Sequence, residues 1–372
     1  MTEEVPDDYS VPVWAGNSGP LRLYGLNSDE WTASLEDLNS RKYDHVKLFR
    51  TSFNVDIGIA PLSLILGFDG SLLIPRVMPR DKAIVALNRH LTELFLGGLY
   101  SEAITPDNVS PGELNVWGYH RHSHTRGTYA NLSQGLRSRQ ASPDDLIRLL
   151  GPKLIKEEEY RTLHHRGKKV MALLPSNIST VLLPAATAFC QEEWERCLIL
   201  AWASSELVLD KLWQIKIVKA TSIDGVTKAR RKDFLGDTRT WSASTRIELL
   251  WARDLLSSEL YALLDGARAA RNAFIHSAKP CGAEQARSSI MAALCLVEVL
   301  AHSEDVEFSA SSVLGEISGF CPSFMDAPKK VDWDEVKAWR YPDPAPGFKD
   351  WGDTPFPKLP EIQLKPVSHP EG

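Results

Sequence analysis

The chain has 372 residues, a formal net charge of −6, and hydrophobic residues at 43% of its positions, including 11 Trp. This composition excludes a disordered chain, and the length predicts two domains rather than one helical bundle. The first ten residues are acidic and no apolar run approaches the roughly 20 residues of a membrane span, so we expect a cytoplasmic protein that does not contact a membrane. Five cysteines without C-x-x-C spacing argue against a disulfide framework or a zinc knuckle.

Strand-like segments and one clear helical pattern share the first 170 residues. Short runs rich in β-branched, aromatic and aliphatic residues predict strands at 21–26, 45–49, 62–68 and 113–119. Residues 80–100 predict a helix, because Leu87, Leu91 and Leu94 recur at helical spacing. We therefore expect an α+β domain over residues 1–170, to which no role is assigned.

Basic residues gather in three segments of this acidic chain. Residues 119–140 hold four Arg, three His and two Tyr without an acidic residue, and further basic runs lie at 161–169 and 228–232. Such segments form phosphate-binding surfaces in RNA-binding proteins, where Tyr rings stack on bases, although a solvated basic loop has the same composition. The side chains expected to contact RNA are Tyr119, Arg121, Arg126, Tyr129, Arg230 and Arg231.

Three histidines alternate in the first of these segments. If the strand ending at Tyr119 continues, its period of two places His120, His122 and His124 on one face. Three interpretations stay open: a pair that binds a transition metal, a polar surface that faces RNA, and an ordinary loop. Because the segment has no Asp, Glu or Cys, we assign no metal there, and the absence of nucleotide, flavin and serine-hydrolase motifs predicts no cofactor.

Helical periodicity dominates residues 171–325. Apolar residues recur at three-and-four spacing in three segments, which predicts an all-α bundle with a central helical pair. These segments are 192–213, 245–277 and 284–301. After the bundle, prolines recur through residues 326–372 and predict an extended tail.

One predicted helix of the bundle carries a cation, an amide and an imidazole close together. With Ser258 as its N-cap, it places Arg271 on its apolar stripe, Asn272 beside it, and His276 near its C-terminus. A guanidinium on such a stripe is costly unless a partner compensates it, and the helix dipole favours a protonated imidazole at that end. These residue types suit phosphodiester cleavage without a metal. An Arg paired with an acidic neighbour and an ordinary helix-end His also explain them.

The helix order and the R-N-x-x-x-H sequence that starts at Arg271 resemble the HEPN superfamily of helical domains. The resemblance covers residues 190–303, less than a third of the chain. It implies a metal-independent endoribonuclease whose Arg and His form a composite site across a homodimer. In that site Arg271 contacts the scissile phosphate, His276 is the general acid or base for 2′-OH attack, and Asn272 orients them. Glu206, in the first helix, is the implied partner of Arg271.

The same region is similar to a second group of proteins. Residues 245–277 look like the mannitol-operon repressor branch, which includes binding and regulatory modules. The alternative function is therefore a non-catalytic, HEPN-like module for dimerisation and partner binding in a regulatory protein. The enzymatic interpretation implies RNA-targeting defence or a toxin-like stress response, a setting in which an antitoxin or other protein partner is expected.

Overall fold

The computed structural model describes residues 9–31, 45–59, 62–123, 127–129, 153–219 and 233–324. These residues form an antiparallel sheet region followed by a helical region, which confirms the predicted mixed architecture at that level. The predicted tail at 326–372 lies outside the described residues.

A six-stranded antiparallel sheet organises the N-terminal region. Its strands are β1 (Ser10–Gly16), β3 (Thr51–Ile59), β4 (Leu62–Gly67), β5 (Leu72–Pro75), β6 (Val109–Asn115) and β7 (His120–His122), and a separate parallel pair joins β2 (Arg22–Gly25) to β8 (Lys153–Lys156). The six strands follow the order β3-β4-β5-β1-β6-β7. Trp14 of the inner strand β1 lies opposite Ile74 on one side and Pro111 on the other. Alternate residues of β3, such as Phe53 and Val55, face the core, as the period of a strand requires.

Two long helices cross closely beside this sheet. Helix α1 (Arg80–Leu96) buries the predicted leucine stripe, and helix α2 (Glu157–Leu173) packs on it. A Cβ added to Gly167 of α2 would lie 1.6 Å from the carbonyl oxygen of Glu93 in α1. Glycine is therefore required for this approach of the two backbones.

The sheet region and the helical region share one hydrophobic core. Buried side chains from α1, such as Leu87, and from the helical region, such as Leu296, belong to the same cluster. The predicted boundary at residue 170 falls inside α2, which contacts both parts.

The helical region follows the predicted order. Its helices are α3 (Leu182–Cys190), α4 (Trp194–Trp213), α5 (Ala243–Trp251), α6 (Ser258–Ser277), α7 (Ala283–His302) and α8 (Ala310–Ser318), and a π-helical segment at Gln214–Lys219 extends α4. Helices α4 and α7 pack along each other, and α6 packs on both. The N-cap of α6 is Ser257, not Ser258, because the extended backbone at Ser257 lets its Oγ accept a hydrogen bond from the Leu260 N–H at 3.2 Å.

None of the described helices alone is both long enough and apolar enough to cross a membrane. The segments Glu157–Leu173 and Ile178–Cys190 meet the criterion only as a pair, and that pair is bent by 108°.

Candidate functional site

The last two turns of α6 hold the R-N-x-x-x-H residues. Arg271 and Asn272 are half-buried, and Arg271 continues the buried stripe four residues after Ala267. The helix ends at Ser277 because Ala278 adopts a left-handed conformation, with φ of 48°. His276 therefore lies in the final turn, where it is exposed.

Arg271 has an amide partner but no carboxylate partner among the described residues. Its Nη1 donates a hydrogen bond to Oδ1 of Asn272 at 3.1 Å. Within the described part of the chain, its guanidinium forms no ion pair. A partly desolvated guanidinium that lacks a counter-charge binds an incoming phosphate more strongly than one already paired with a carboxylate. Asn272 holds this side chain in place without neutralising its charge.

Helical geometry separates Arg271 from His276 within one chain. Five residues of an α-helix correspond to about 7.5 Å of rise and roughly 140° of rotation. The two side chains therefore leave α6 in directions about 140° apart and do not share one face.

Glu206 does not pair with Arg271 inside the chain. It is exposed on α4, where it lines a cleft of about 640 Å³ with Asp210 and Arg246. The carboxylate that forms an ion pair in this cleft is Asp210, whose Oδ1 lies 2.6 Å from Nη1 of the buried Arg246 of α5. The Arg246 guanidinium also lies over the ring of Trp213, with its Cζ 5.6 Å from the ring centroid. The predicted Arg271–Glu206 pair is therefore wrong for a single chain.

The hairpin between β6 and β7 presents part of the predicted RNA surface. Arg121 is exposed, and the Tyr119 ring is partly exposed beside Trp117, which is 67% exposed and was not among the predicted contacts. The other basic side chains expected to contact RNA lie outside the described residues, and these are Arg126, Arg230 and Arg231. The described hairpin thus combines a cation with two accessible aromatic rings.

Tyr129 contacts two other segments of the chain, at Glu102 and at Gly19. Its hydroxyl donates a hydrogen bond to Oε1 of the half-buried Glu102 at 2.9 Å. The hydroxyl end of its ring lies close to Gly19, since a Cβ there would be 2.0 Å from Cζ of Tyr129. That this ring stacks on a base stays a prediction.

The histidines of β7 share one face, as predicted, but that face is buried. The rings of His120 and His122 are nearly parallel, at 9°, with centroids 5.8 Å apart. Nε2 of His120 lies 3.4 Å from Oδ1 of Asp69, and Nε2 of His122 lies 3.3 Å from Oγ of Ser71. These residues form a buried polar network, which corrects the interpretation of an RNA-facing surface. His124 lies outside the described residues.

A second cluster of titratable side chains lies where α1 and α2 cross. His90 and Glu93 come from one face of α1, at a spacing of three residues, and Tyr160 and His164 come from one face of α2, at a spacing of four. All four are buried. Nε2 of His164 lies 2.8 Å from Oε2 of Glu93, and Nε2 of His90 lies 2.5 Å from the Tyr160 hydroxyl.

Burial controls the ionisation of His90 and Tyr160 in this cluster. It holds the pKa of His90 well below its usual value, and the neighbouring His164 and Lys168 lower it further. It also raises the pKa of Tyr160 well above its usual value, and Tyr24 and Glu93 add to that effect. At neutral pH, His90 is therefore a neutral imidazole and Tyr160 a neutral phenol.

The sequence carries a signal for this cluster in its helical spacing. His90 and Glu93 have the spacing of neighbours on a helix face, and His164 lies in the run at 161–169, whose composition predicts a basic surface. In that run His164 and Gly167 are buried, whereas His165 is exposed. Helical periodicity within the run would have separated the two histidines.

Comparison with known proteins adds no relative. No protein-family model, curated protein or solved structure matches this chain. Two described sites carry groups suited to chemistry. The α6 motif lies at the surface, and the cluster between α1 and α2 is enclosed.

Proposed function

We propose that this protein is a metal-independent endoribonuclease of the HEPN type, with an active site composed of two copies of the α6 motif. The observation that carries the proposal is the half-buried Arg271 guanidinium, which Asn272 holds and which no described carboxylate neutralises. The order of helices, with α4 before the α5–α6 pair and α7 after it, also supports the resemblance.

The chemistry requires only proton transfer and charge stabilisation. The 2′-OH of the RNA attacks the adjacent phosphorus as a base removes its proton, and an acid protonates the departing 5′-oxygen. The products are a 2′,3′-cyclic phosphate and a 5′-hydroxyl. His276 supplies the proton-transfer group, and Arg271 stabilises the negative charge of the phosphorane.

A homodimer supplies the groups that one chain separates. Two motifs provide two imidazoles, one as base and one as acid, together with two guanidinium groups. Beside the motif, Ile275 is 48% exposed and Phe274 is half-buried. An apolar side chain this exposed next to the proposed catalytic groups fits the surface of a second copy. Glu206 would then pair with Arg271 only across the dimer.

We propose RNA as the substrate and the β6–β7 hairpin as one of its contacts. Arg121 would contact phosphate, and Tyr119 would stack on a base. Arg126, Arg230 and Arg231 belong to the same proposal on the basis of sequence. The biological setting that we propose is RNA-targeting defence or a toxin-like stress response in the cytoplasm.

The test is cleavage of a mixed-sequence RNA by the full chain. We expect products with 2′,3′-cyclic phosphate ends and no cleavage of RNA with a 2′-deoxy sugar at the cleaved position. At temperatures where the chain is folded, EDTA should leave the cleavage rate unchanged. His276→Ala should lower the rate by about 10²–10⁴. The matched control is His302→Ala, because His302 is also exposed in the last turn of a helix.

Two outcomes would redirect the proposal. Cleavage that survives His276→Ala, or that needs added metal, would place the active site elsewhere. A stable dimer that cleaves no RNA would favour the non-catalytic module, and the exposed Ile275 already fits a dimerisation surface of either kind.

A further inference from the structure

The crossing of α1 and α2 brings together three side chains of the types that bind transition metals. His90, Glu93 and His164 each offer one ligand atom, and these atoms all lie within 4.8 Å of one another. Bonds of about 2.0–2.2 Å to a tetrahedral ion would place its ligand atoms roughly 3.4 Å apart. Small side-chain rotations therefore suffice to close the site, since the backbones already approach at Gly167.

One of the three side chains lacks a partner that its burial demands. His90 is 1% exposed, and its Nδ1 has no hydrogen-bond partner among the described residues. Buried polar atoms nearly always have a partner, so an orphan imidazole nitrogen inside a cluster of donors indicates a missing ligand. The other nitrogen, Nε2, bonds to the Tyr160 hydroxyl. This arrangement is typical of a metal-binding His, whose second nitrogen is oriented by an outer partner.

The charges of the cluster also fit a cation. Glu93 is a buried carboxyl group that forms an ion pair with Arg89, whose Nε lies 3.6 Å from Oε1 of Glu93. The Arg89 side chain is 59% exposed, so it can turn to solvent when a metal occupies the site. Oε2 of Glu93 faces Nε2 of His164 at 2.8 Å, a contact that a shared metal would replace.

We propose that His90, Glu93 and His164 bind one divalent transition-metal ion of the Zn²⁺ class, which links α1 to α2. Two imidazoles and one carboxylate form a ligand set that suits Zn²⁺ and leaves a fourth coordination position. Tyr160 is a positioning residue, because its hydroxyl orients His90 without contacting the metal. The site is separate from the α6 motif, and this inference goes beyond the proposed cleavage of RNA.

The experiment measures binding of Zn²⁺ and Co²⁺ to the full chain after the protein has been stripped with a chelator. Elemental analysis should find one ion per chain, and added Zn²⁺ should raise the unfolding temperature. Bound Co²⁺ should show the visible absorption spectrum of an ion with nitrogen and oxygen ligands. His164→Gln and Glu93→Gln should abolish the Co²⁺ spectrum and the Zn²⁺-dependent stabilisation. The matched control is His165→Gln, since His165 is the exposed neighbour of His164.

A second variant tests the positioning role of Tyr160. Tyr160→Phe removes only the hydroxyl, and loss of such an outer partner typically weakens metal binding about 10–100-fold. We expect a weaker affinity with an otherwise similar Co²⁺ spectrum. An unchanged affinity would overturn the role of Tyr160.

Metal-free unfolding distinguishes a metal site from a hydrogen-bond network. If the cluster is only a network, His164→Gln lowers the unfolding temperature equally with and without Zn²⁺, and the wild type does not respond to the ion. That result would overturn the metal site, as would Co²⁺ binding that persists in Glu93→Gln and His164→Gln. The metal site predicts that the difference between wild type and variant grows when Zn²⁺ is added.

Discussion

Asn272 accepts a hydrogen bond from Arg271 at 3.1 Å, between neighbouring residues of α6 that are both half-buried. Adjacent residues on a helix point about 100° apart, so this contact requires the long Arg side chain to bend back toward the amide. The bond directs the guanidinium and leaves its charge available.

This contact predicts a graded response in RNA cleavage. Arg271→Ala removes the group that stabilises the phosphorane and should abolish detectable cleavage, whereas Asn272→Ala should lower the rate less, because Asn272 orients the guanidinium without moving a proton. The cleavage rates of the two variants, measured on the same RNA, check both expectations. Arg268→Ala is the control, since Arg268 already pairs with Asp265 at 2.6 Å. An Asn272→Ala rate as low as that of Arg271→Ala would contradict a purely orienting role.

The exposed apolar residue beside the motif predicts the effect of a charge at a dimer interface. Ile275→Glu would place a carboxylate in the proposed interface and should shift the protein from dimer to monomer at micromolar concentration, with loss of cleavage. Light scattering measures the mass. Val85→Glu changes an equally exposed apolar residue of α1 and should leave the mass unchanged. A wild-type monomer would remove the composite site.

The β6–β7 hairpin predicts a salt-dependent loss of RNA affinity. Arg121→Ala should weaken binding to all RNA sequences alike and reduce the slope of log affinity against log salt by about 0.7, the value for one phosphate contact on single-stranded nucleic acid. Titrations at several salt concentrations give the slope. Arg196→Ala is the control, because Arg196 is exposed but pairs with Glu193 at 2.6 Å. An unchanged slope would assign Arg121 to solubility.

The crossing of α1 and α2 predicts a large difference between two Gly→Ala variants. In Gly167→Ala the new Cβ would meet the Glu93 carbonyl oxygen at 1.6 Å, so the helices must separate, at a cost of about 1–3 kcal/mol or more. In Gly266→Ala, within α6, the Cβ meets no atom within 4 Å, and the variant should gain about 0.5–1 kcal/mol. Urea denaturation measures both free energies of unfolding. Equal stabilities would contradict the close crossing.

Chain-local patterns were sufficient for α1 and α6, each of which carries part of one site. The leucine stripe of α1 and the stripe that leads to Arg271 in α6 could be predicted, as could the shared face of His120 and His122. Helix and strand periodicities depend on residues two to four positions apart, so they are visible without knowing where the chain folds back. The N-cap of α6 was predicted within one residue for the same reason.

The partners of those faces depend on contacts between distant segments. Strand alternation cannot tell which side of β7 is covered, and the buried side is the one that faces Asp69 and Ser71, between β4 and β5. Likewise, helical spacing places Arg271 on a stripe but does not identify its partner. The packing of α5 on α4 decides which ion pair forms near Glu206, and that pair joins Asp210 to Arg246. Glu93 and His164 are 71 residues apart in the sequence. They meet because Gly167 has no Cβ, which lets the backbones of α1 and α2 come together. The crossing of the two helices sets this condition, and the residues around either side chain do not.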